Sequence, residues 1–338
     1  MNLADKIKCK AVELGFDLVG LTDARPLDSQ QAEFIKTWLQ NGFAGQMNYM
    51  HKNLEKRNNP AKLLKDAQSV IVVGLNYNRP EQNPTSKTDF GKVASYACYQ
   101  DYHPFIKDRL YKLAEFINSE IKEKFQFKVC VDSVPVTERA LAQRAGLGFI
   151  GKNRMLINPK LGCRIFLGEL ITTLKLPSDE VIPRHSERKE PLALSEVEGE
   201  AESRNLICST CNNCIDACPT GALRKDGWFD ATKCINYLTI EYKGQISADL
   251  ADKIGDRLFG CEDCITACPY QKNAPPCKNE QFKFYNNRES LNLNDILSLS
   301  EDSFNTEFAD SPIKRLGLDG LKRNARICLA NIERTGGK

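Results

Sequence analysis

The sequence predicts an α+β fold in which a domain built around one sheet precedes a cysteine-rich part and a helical C-terminal region. Residues 1–175 alternate between the apolar spacing of amphipathic helices and that of buried strands. Most of the 14 cysteines fall within residues 208–268, and from Leu291 onward the apolar residues again follow a helical period. A chain of 338 residues is long enough for about two domains of ordinary size.

Each element of the first part has its own signal. Leu3, Ile7, Ala11 and Leu14 share one face of an N-terminal helix, and segments rich in Val, Ile and Phe between turn residues indicate strands. We expect further helices at residues 27–41, 105–124 and 137–145. We expect strands at residues 17–22, 69–75, 93–97, 127–131 and 164–174.

The composition is that of a globular protein, with 41% hydrophobic and 27% charged residues and a net charge of +3. The longest apolar stretch, residues 70–75, is far shorter than the about 20 residues of a membrane helix, and the first residues lack an apolar signal region. We therefore expect a cytoplasmic protein without a membrane span. Residues 178–204 hold eight acidic and four basic residues and little apolar periodicity, which predicts a flexible acidic insertion.

The clustered cysteines form two runs. Residues 208–219 read C-x2-C-x2-C-x3-C-P, the pattern of bacterial ferredoxins, and residues 261–269 repeat its second part, with Cys234 free to complete the set. We therefore predict two 4Fe–4S clusters. Since the last cysteine of each run ligates the other cluster in two-cluster proteins, the ligands divide into two sets. Cluster one takes Cys208, Cys211, Cys214 and Cys268; cluster two takes Cys218, Cys234, Cys261 and Cys264.

The alternative to two 4Fe–4S clusters is a pair of structural zinc sites. Paired CxxC motifs also suit tetrahedral zinc, but a C-x3-C-P ending is a poor zinc signature. Cys277 lies outside both sets. The scattered cysteines are predicted to be small buried apolar residues: Cys9, Cys98, Cys130 and Cys328. A ferredoxin is much shorter than this chain, so the clusters are expected to pass electrons to a site upstream.

Two motifs are weaker than they look. Residues 146–151 satisfy G-x-G-x-x-G, but a dinucleotide site needs a strand before the motif, and here a helix precedes it, so Gly146 is expected to end that helix. Asp101-Tyr-His103 begins like the Asp-x-His-x-x-Gly signature of some corrinoid proteins, but Ile106 stands at the glycine position. We interpret His103 as a structural hydrogen-bonding residue.

Asp132 follows the strand predicted at residues 127–131, at the sheet edge where open α/β sheets bind ligands. A carboxyl group in a partly apolar site at the sheet edge can have a raised pKa and act as a general acid. The alternative is an aspartate that caps the helix beginning near Thr137, and spacing alone slightly favours the cap.

The run VDSVPVTERALAQRAGLGFIGKN, the following NPKLGCRIFLGEL and the cysteine pattern closely resemble the epoxyqueuosine reductases, which are cobalamin- and iron–sulfur-dependent enzymes acting on transfer RNA. The likeness covers nearly the whole chain. It also includes ELGFDLVGLTDA, Lys56-Arg57-Asn-Asn-Pro60, Asp101-Tyr-His103, Tyr242-Lys243-Gly244 and Leu321-Lys-Arg-Asn324.

The resemblance implies the last step of queuosine synthesis, in which cobalamin reduces the epoxide of a modified wobble base with electrons relayed through two 4Fe–4S clusters from an external low-potential donor. It implies that Asp132 is the proton donor, that the protein is a monomer, and that four residues hold cobalamin: Arg57, Lys152, Asn153 and Asn158. The implied domains are a nitroreductase-like cobalamin domain (1–177), a ferredoxin-like domain (205–275) and a HEAT-like helical tail (276–338).

This chain departs from the family pattern at three positions. Ser95 and Tyr99 stand where the resemblance leads us to expect arginine and glycine, and Cys163 replaces an expected serine. These departures put cofactor contacts in doubt but touch neither Asp132 nor the eight cluster cysteines.

The last 28 residues carry seven Lys and Arg against two acids. A tRNA substrate gives these charges a purpose, since phosphates are neutralised by basic side chains. The predicted contacts are Lys243, Lys314, Arg315, Lys322, Arg323 and Arg326. The alternative is a solvated amphipathic helix. For the whole protein, the alternatives are a dehalogenase-like corrinoid reductase of a small molecule and a two-cluster electron-transfer protein.

Overall fold

The computed structural model of the protein describes residues 1–79, 89–179 and 208–336. Most of the predicted acidic insertion, 178–204, lies outside the described residues. Asp179 does not, because its carboxylate accepts the Leu21 amide at 2.8 Å and forms an ion pair with Lys8. Asp179 is therefore fixed to the N-terminal domain.

The strands are β1 (Leu18–Asp23), β2 (Ser69–Asn76), β3 (Phe90–Val93), β4 (Phe127–Cys130), β5 (Phe149–Ile150), β6 (Leu156–Ile157), β7 (Ile165–Thr172), β8 (Arg257–Phe259) and β9 (Ser290–Asn292). The helices are α1 (Leu3–Glu13), α2 (Ser29–Gln40), α3 (Leu54–Asn58), α4 (Tyr102–Glu120), α5 (Glu138–Arg144), α6 (Asn213–Asp216), α7 (Ile235–Ile240), α8 (Ala248–Ile254), α9 (Asp263–Thr266), α10 (Pro269–Lys272), α11 (Leu293–Ser298), α12 (Glu301–Glu307) and α13 (Leu318–Gly336). Short 3-10 turns include Asn48–Met50, Ser95–Cys98 and Pro312–Arg315.

An antiparallel sheet of order β1-β2-β7-β4 forms the centre of the N-terminal domain. All residues of β2 and β7 are buried, because helices cover both faces of the sheet. Side chains of α1 and α4 pack with Ile71 and Leu170 on one face, and those of α5 pack with Val72 and Ile171 on the other. The strands expected at the positions of β1, β2, β4 and β7 are confirmed.

The strand expected at residues 93–97 is wrong. β3 ends at Val93 and the chain turns into the 3-10 segment Ser95–Cys98. The Ser95 amide donates to the Glu262 carboxylate at 2.9 Å, so a side chain takes the place of a neighbouring strand.

A second sheet joins three distant parts of the chain. β3 pairs in parallel with β8 and antiparallel with β9, giving the order β8-β3-β9. Val93 shares one apolar core with Phe259, Leu293 and Leu321. The segment around β3 therefore packs with the cysteine-rich and C-terminal parts, although the sequence placed it inside domain 1–177.

Two smaller predictions concern the scattered cysteines and Gly146. Cys98, Cys130 and Cys328 are buried as expected, whereas Cys9 is exposed on α1, so its predicted burial is wrong. Gly146 follows α5 with a φ of 75°, and Leu147 bonds back to the Ala142 carbonyl, so the glycine does end the helix. Within residues 1–79, 89–179 and 208–336, no helix is long and apolar enough to cross a membrane.

Candidate active site

Asp132 lies just beyond β4 in a strained backbone conformation. Its φ of 49° is unusual for a residue with a side chain and costs about 1–3 kcal/mol. The Glu138 carboxylate in the first turn of α5 accepts the Asp132 amide at 2.6 Å. This hydrogen bond stabilises the strained conformation of the loop.

The Asp132 carboxylate does not cap α5, whose cap position is Thr137, so the capping alternative is wrong. Its Oδ2 lies 3.0 Å from His103 Nε2 and 3.2 Å from an Arg315 nitrogen. Burial opposes ionisation, but the hydrogen bonds and charges of His103 and then Arg315 outweigh it and lower the pKa of Asp132 to about 2. Asp132 therefore differs from a carboxyl group in a partly apolar site without charged partners, whose pKa can be raised.

His103 links two carboxylates. Its Nδ1 lies 2.6 Å from Asp101 Oδ1, opposite the contact between Nε2 and Asp132. Asp101 also accepts the His103 amide at 2.9 Å and so caps α4. Burial alone would lower the pKa of His103, but these two acidic partners raise it to about 9. The sequence interpretation found the hydrogen bonding of His103 but missed its contact with Asp132.

Two further carboxyl groups lie behind Asp132. Burial and the charge of Asp132 raise the pKa of Glu138 to about 7. Glu169 on β7 is fully buried, and neither of its oxygens has a hydrogen-bond partner among the described residues. Burial, then Glu138 and Asp132, raise the pKa of Glu169 well above its usual range. Sequence reasoning missed both residues, although a glutamate inside an apolar strand was a usable signal.

Arg57 belongs to the same region, because its charge interacts with Glu138 and Asp132. Its Nε is buried without a hydrogen-bond partner among the described residues. Arg57 therefore has a donor available for a bound group beside Asp132.

The other residues expected to hold cobalamin have protein partners. Lys152 Nζ donates to the carbonyls of Ser209 and Cys211 at 2.9 Å each, and to Asn212 Oδ1 at 3.0 Å. Its ammonium therefore stabilises the loop of the first cysteine run.

Asn153 and Asn158 also bond within the protein. Asn153 Oδ1 accepts the Met155 amide at 3.1 Å, and Asn158 donates to the Leu147 carbonyl at 2.8 Å. Asn158 Oδ1 accepts two further amides of its own turn. Both side chains therefore stabilise turns of the chain.

The cysteines expected to ligate cluster one surround one small cavity of about 20 Å³. Its lining includes Cys208, Cys211, Cys214 and Cys268, together with Lys152. The last cysteine of the second run is thus brought to the first three of the first run, as the crossed assignment requires.

The other four cysteines also interact with one another. The charge of Cys264 interacts with Cys234, Cys261 and Cys218, and burial is the main reason that its pKa is raised. Among the described residues, no group of three or more His, Cys, Asp or Glu side chains is arranged to hold a single metal ion.

Cys163 is buried against cluster one. Its thiol hydrogen-bonds to Cys268, which raises the pKa of Cys163 and lowers that of Cys268 to about 6. The departure from serine therefore places an S–H donor beside a cluster ligand. The other departures have protein contacts: Ser95 Oγ accepts from Arg79 at 3.3 Å, and Tyr99 stacks on Phe282.

The basic residues divide by their contacts. Arg323 donates to the Tyr242 carbonyl at 2.6 Å and the Leu238 carbonyl at 2.8 Å, and Lys243 Nζ lies 3.3 Å from the Leu316 carbonyl. Arg323 thus ties α13 to the end of α7. Arg315 points to Asp132. Lys314 and Arg326 are exposed, and Lys322 is half-buried.

Comparison with known proteins agrees with this arrangement. Residues 57–133 match the family model described as epoxyqueuosine reductase QueG, DUF1730, and residues 207–271 match the 4Fe-4S double cluster binding domain. An epoxyqueuosine reductase of Pseudomonas aeruginosa is 36% identical over 337 residues, covering 99% of this chain and 87% of that protein.

Solved structures of this family have the same fold. A crystal structure of epoxyqueuosine reductase with an epoxyqueuosine-modified tRNA stem loop matches with a TM-score of 0.85 and 28% identity, covering 99% of this chain and 82% of that one. A Bacillus subtilis epoxyqueuosine reductase with its aspartate catalytic loop swung out of the active site matches with a TM-score of 0.84 and 27% identity, with coverage of 99% and 82%.

The fold and its sites define an oxidoreductase in which a 4Fe-4S double-cluster domain adjoins a carboxylate–imidazole site. The chain belongs to the epoxyqueuosine reductase family.

Proposed function

We propose that this protein reduces epoxyqueuosine in tRNA to queuosine. The family relationship over nearly the whole chain supports the proposal. The structural observation that carries it is the half-exposed Asp132 carboxylate, in contact with His103, in a chain that also brings cysteines from both runs around one cavity. Removal of the epoxide oxygen as water takes two electrons and two protons. The cysteine sets provide a route for electrons, and the Asp132–His103 site provides a source of protons.

Cobalamin is part of the proposal through the family resemblance. Of the four residues first expected to hold it, Arg57 fits, because its buried Nε lacks a partner among the described residues and lies in the region of Asp132. When bound, cobalamin would supply a metal centre that collects single electrons and reacts with the strained ring. The chain's own residues would hold it and supply the proton.

The cysteine sets give the electrons a route. A 4Fe–4S cluster passes one electron at a time, and its potential depends on charge and on hydrogen bonds to its sulfurs. Lys152 places a positive charge at the loop of cluster one, and Cys163 donates to Cys268. Both contacts stabilise added negative charge and favour reduction of this cluster. An external low-potential donor completes the route.

The substrate proposal rests on the relative that carries a modified tRNA stem loop. A base must leave its stack to reach an active site inside a protein. Phosphate contacts are assigned to exposed Lys314 and Arg326 and to Lys322, in place of Arg323, whose donors are used within the protein. Such contacts make binding weaker as salt rises.

The Asp132 loop is proposed to be a moving part, as in the Bacillus subtilis relative whose catalytic aspartate loop has swung out. In this chain, Glu138 fixes the loop from the sheet side and Arg315 from the C-terminal side. The nitroreductase-like, ferredoxin-like and HEAT-like descriptions of the three parts, the monomeric state and the cytoplasmic location belong to the same proposal.

The test is incubation of the anaerobically purified protein, supplied with corrinoid and reductant, with tRNA that carries epoxyqueuosine. Nucleoside mass analysis should show queuosine, and Asp132→Asn should abolish the product while cluster absorbance stays unchanged. Absence of queuosine with intact clusters and bound corrinoid would overturn the proposal.

A further inference from the structure

The proton donor of the proposed reaction consists of Asp132 and a neighbouring group. An Asp132 carboxylate that faces both His103 and Arg315 is ionised at neutral pH and carries no proton of its own. A group without a proton is not a general acid. The proton must therefore come from a neighbour.

His103 is the neighbour that holds one. Both ring nitrogens face carboxylate oxygens, at 2.6 Å for Asp101 and 3.0 Å for Asp132. These acidic partners favour the imidazolium form, in which both ring nitrogens donate. The ring is fixed in place because Asp101 also caps α4 and because Tyr102 stacks on the imidazole, with 4.1 Å between the ring centroids.

We propose that His103 stores the proton that Asp132 delivers to the oxygen released from the epoxide. This inference rests on the proposed function. The N–H bond at Nε2 breaks and Asp132 Oδ2 takes the proton. The neutral carboxyl group then turns about its Cβ–Cγ bond, its O–H bond breaks, and the same proton forms the new O–H bond on the oxygen of the substrate. The imidazolium becomes neutral, the oxygen loses its negative charge, and the carboxylate returns to its starting state.

The geometry of Asp132 suits this transfer. Both side-chain contacts use Oδ2, and Oδ1 makes no hydrogen bond to any described residue. The side chain is 45% exposed, so Oδ1 is open to a substrate. Asp132 is the catalytic residue, and His103 acts through it.

Arg315 stabilises the state that remains after transfer. One of its nitrogens lies 3.1 Å from His103 Nε2 as well as 3.2 Å from Asp132. Once Nε2 has lost its proton, its lone pair can accept this N–H. The charged groups that face His103 are thus Asp101 on its own helix, Asp132 on the loop after β4, Glu138 on α5 and Arg315 on the C-terminal turn.

The first test does not involve turnover. The chain has three histidines, so the imidazole signals of the isotope-labelled, cluster-loaded protein can be assigned by NMR with His51→Gln and His185→Gln variants. His103 should titrate near pH 9, and Asp132→Asn should lower that value by about one unit or more, because an opposite charge is lost. Titration of His103 near its ordinary value of about 6.5 in the wild type would overturn the inference.

The second test is the pH profile of single turnover, with His51→Gln as the control because His51 is exposed. The wild-type rate should stay level through neutral pH and fall above about 9. Because general acids contribute about 10²–10⁴-fold, His103→Gln should lose about 10²-fold or more at pH 7.5, with tRNA affinity unchanged.

The His103→Gln rate should also fall with rising pH across the whole range. Glutamine keeps a hydrogen bond to Asp132 but has no proton to give, so a near-normal rate, or an equal loss at every pH, would show a merely structural role. If the wild type makes no queuosine at all, the proposed function fails while the NMR titration still decides the proton store.

Discussion

Replacing Glu138 with alanine tests whether the strained loop conformation of Asp132 matters for turnover. The variant removes the acceptor of the 2.6 Å hydrogen bond from the Asp132 amide, at a residue whose φ is 49°. A hydrogen bond to a charged group contributes about 1.5–3 kcal/mol, and without it the loop can relax out of its strained state.

A shift of about 2 kcal/mol against the working conformation lowers its population, and therefore the single-turnover rate, by about 30-fold, since each 1.36 kcal/mol is tenfold. Glu138→Gln is the matched control, because its amide oxygen still accepts the same hydrogen bond. We expect this variant to stay within a few-fold of the wild type.

The assay is single turnover of epoxyqueuosine-bearing tRNA, measured by nucleoside mass analysis at saturating protein. Cluster absorbance and tRNA affinity should be the same in both variants. A wild-type rate in Glu138→Ala, or an equal loss in Glu138→Gln, would refute the argument that this hydrogen bond holds the loop.

Three further predictions concern the clusters and the buried carboxyl group. Iron analysis should give about eight atoms per chain, and about four for Cys234→Ala if cluster two is lost alone; an unchanged iron content would remove Cys234 from the ligands. Lys152→Met should make the potential of cluster one more negative, because it removes a positive charge from the cluster loop, whereas exposed Lys160→Met should not. Equal potentials in all three proteins would contradict this role. Glu169→Gln should raise the melting temperature above about pH 5, because the folded form keeps a proton that the unfolded chain releases above its usual pKa of 4.5. The wild type should therefore lose stability as pH rises, and the variant less so; parallel curves would show that Glu169 is ionised in the folded protein.

The parts predicted best from sequence are those with strong local patterns. The cysteine spacing alone led to the crossed sets, and the structure brings Cys268 to Cys208, Cys211 and Cys214. The central strands β2 and β7 were visible as apolar runs because helices bury both of their faces.

Contacts between distant segments could not be predicted in the same way. His103 and Arg315 are separated by 212 positions, and nothing local in either segment shows that both approach Asp132. The pKa of Asp132 depends on these two charges, so the sequence alone could not give the direction of its shift. The protein partners of Lys152 could not be predicted for the same reason, because its three acceptors lie about 60 positions further along the chain.

The three-stranded sheet determines how the protein can be divided. β8, from the segment between the two cysteine runs, pairs with β3, which lies far upstream, and β3 also pairs with β9. A fragment restricted to the double-cluster region would expose the edge of β8 and lose its only described strand partner. A shortened version of this protein, or a fusion protein that uses its clusters for electron transfer, must therefore include the β3 segment.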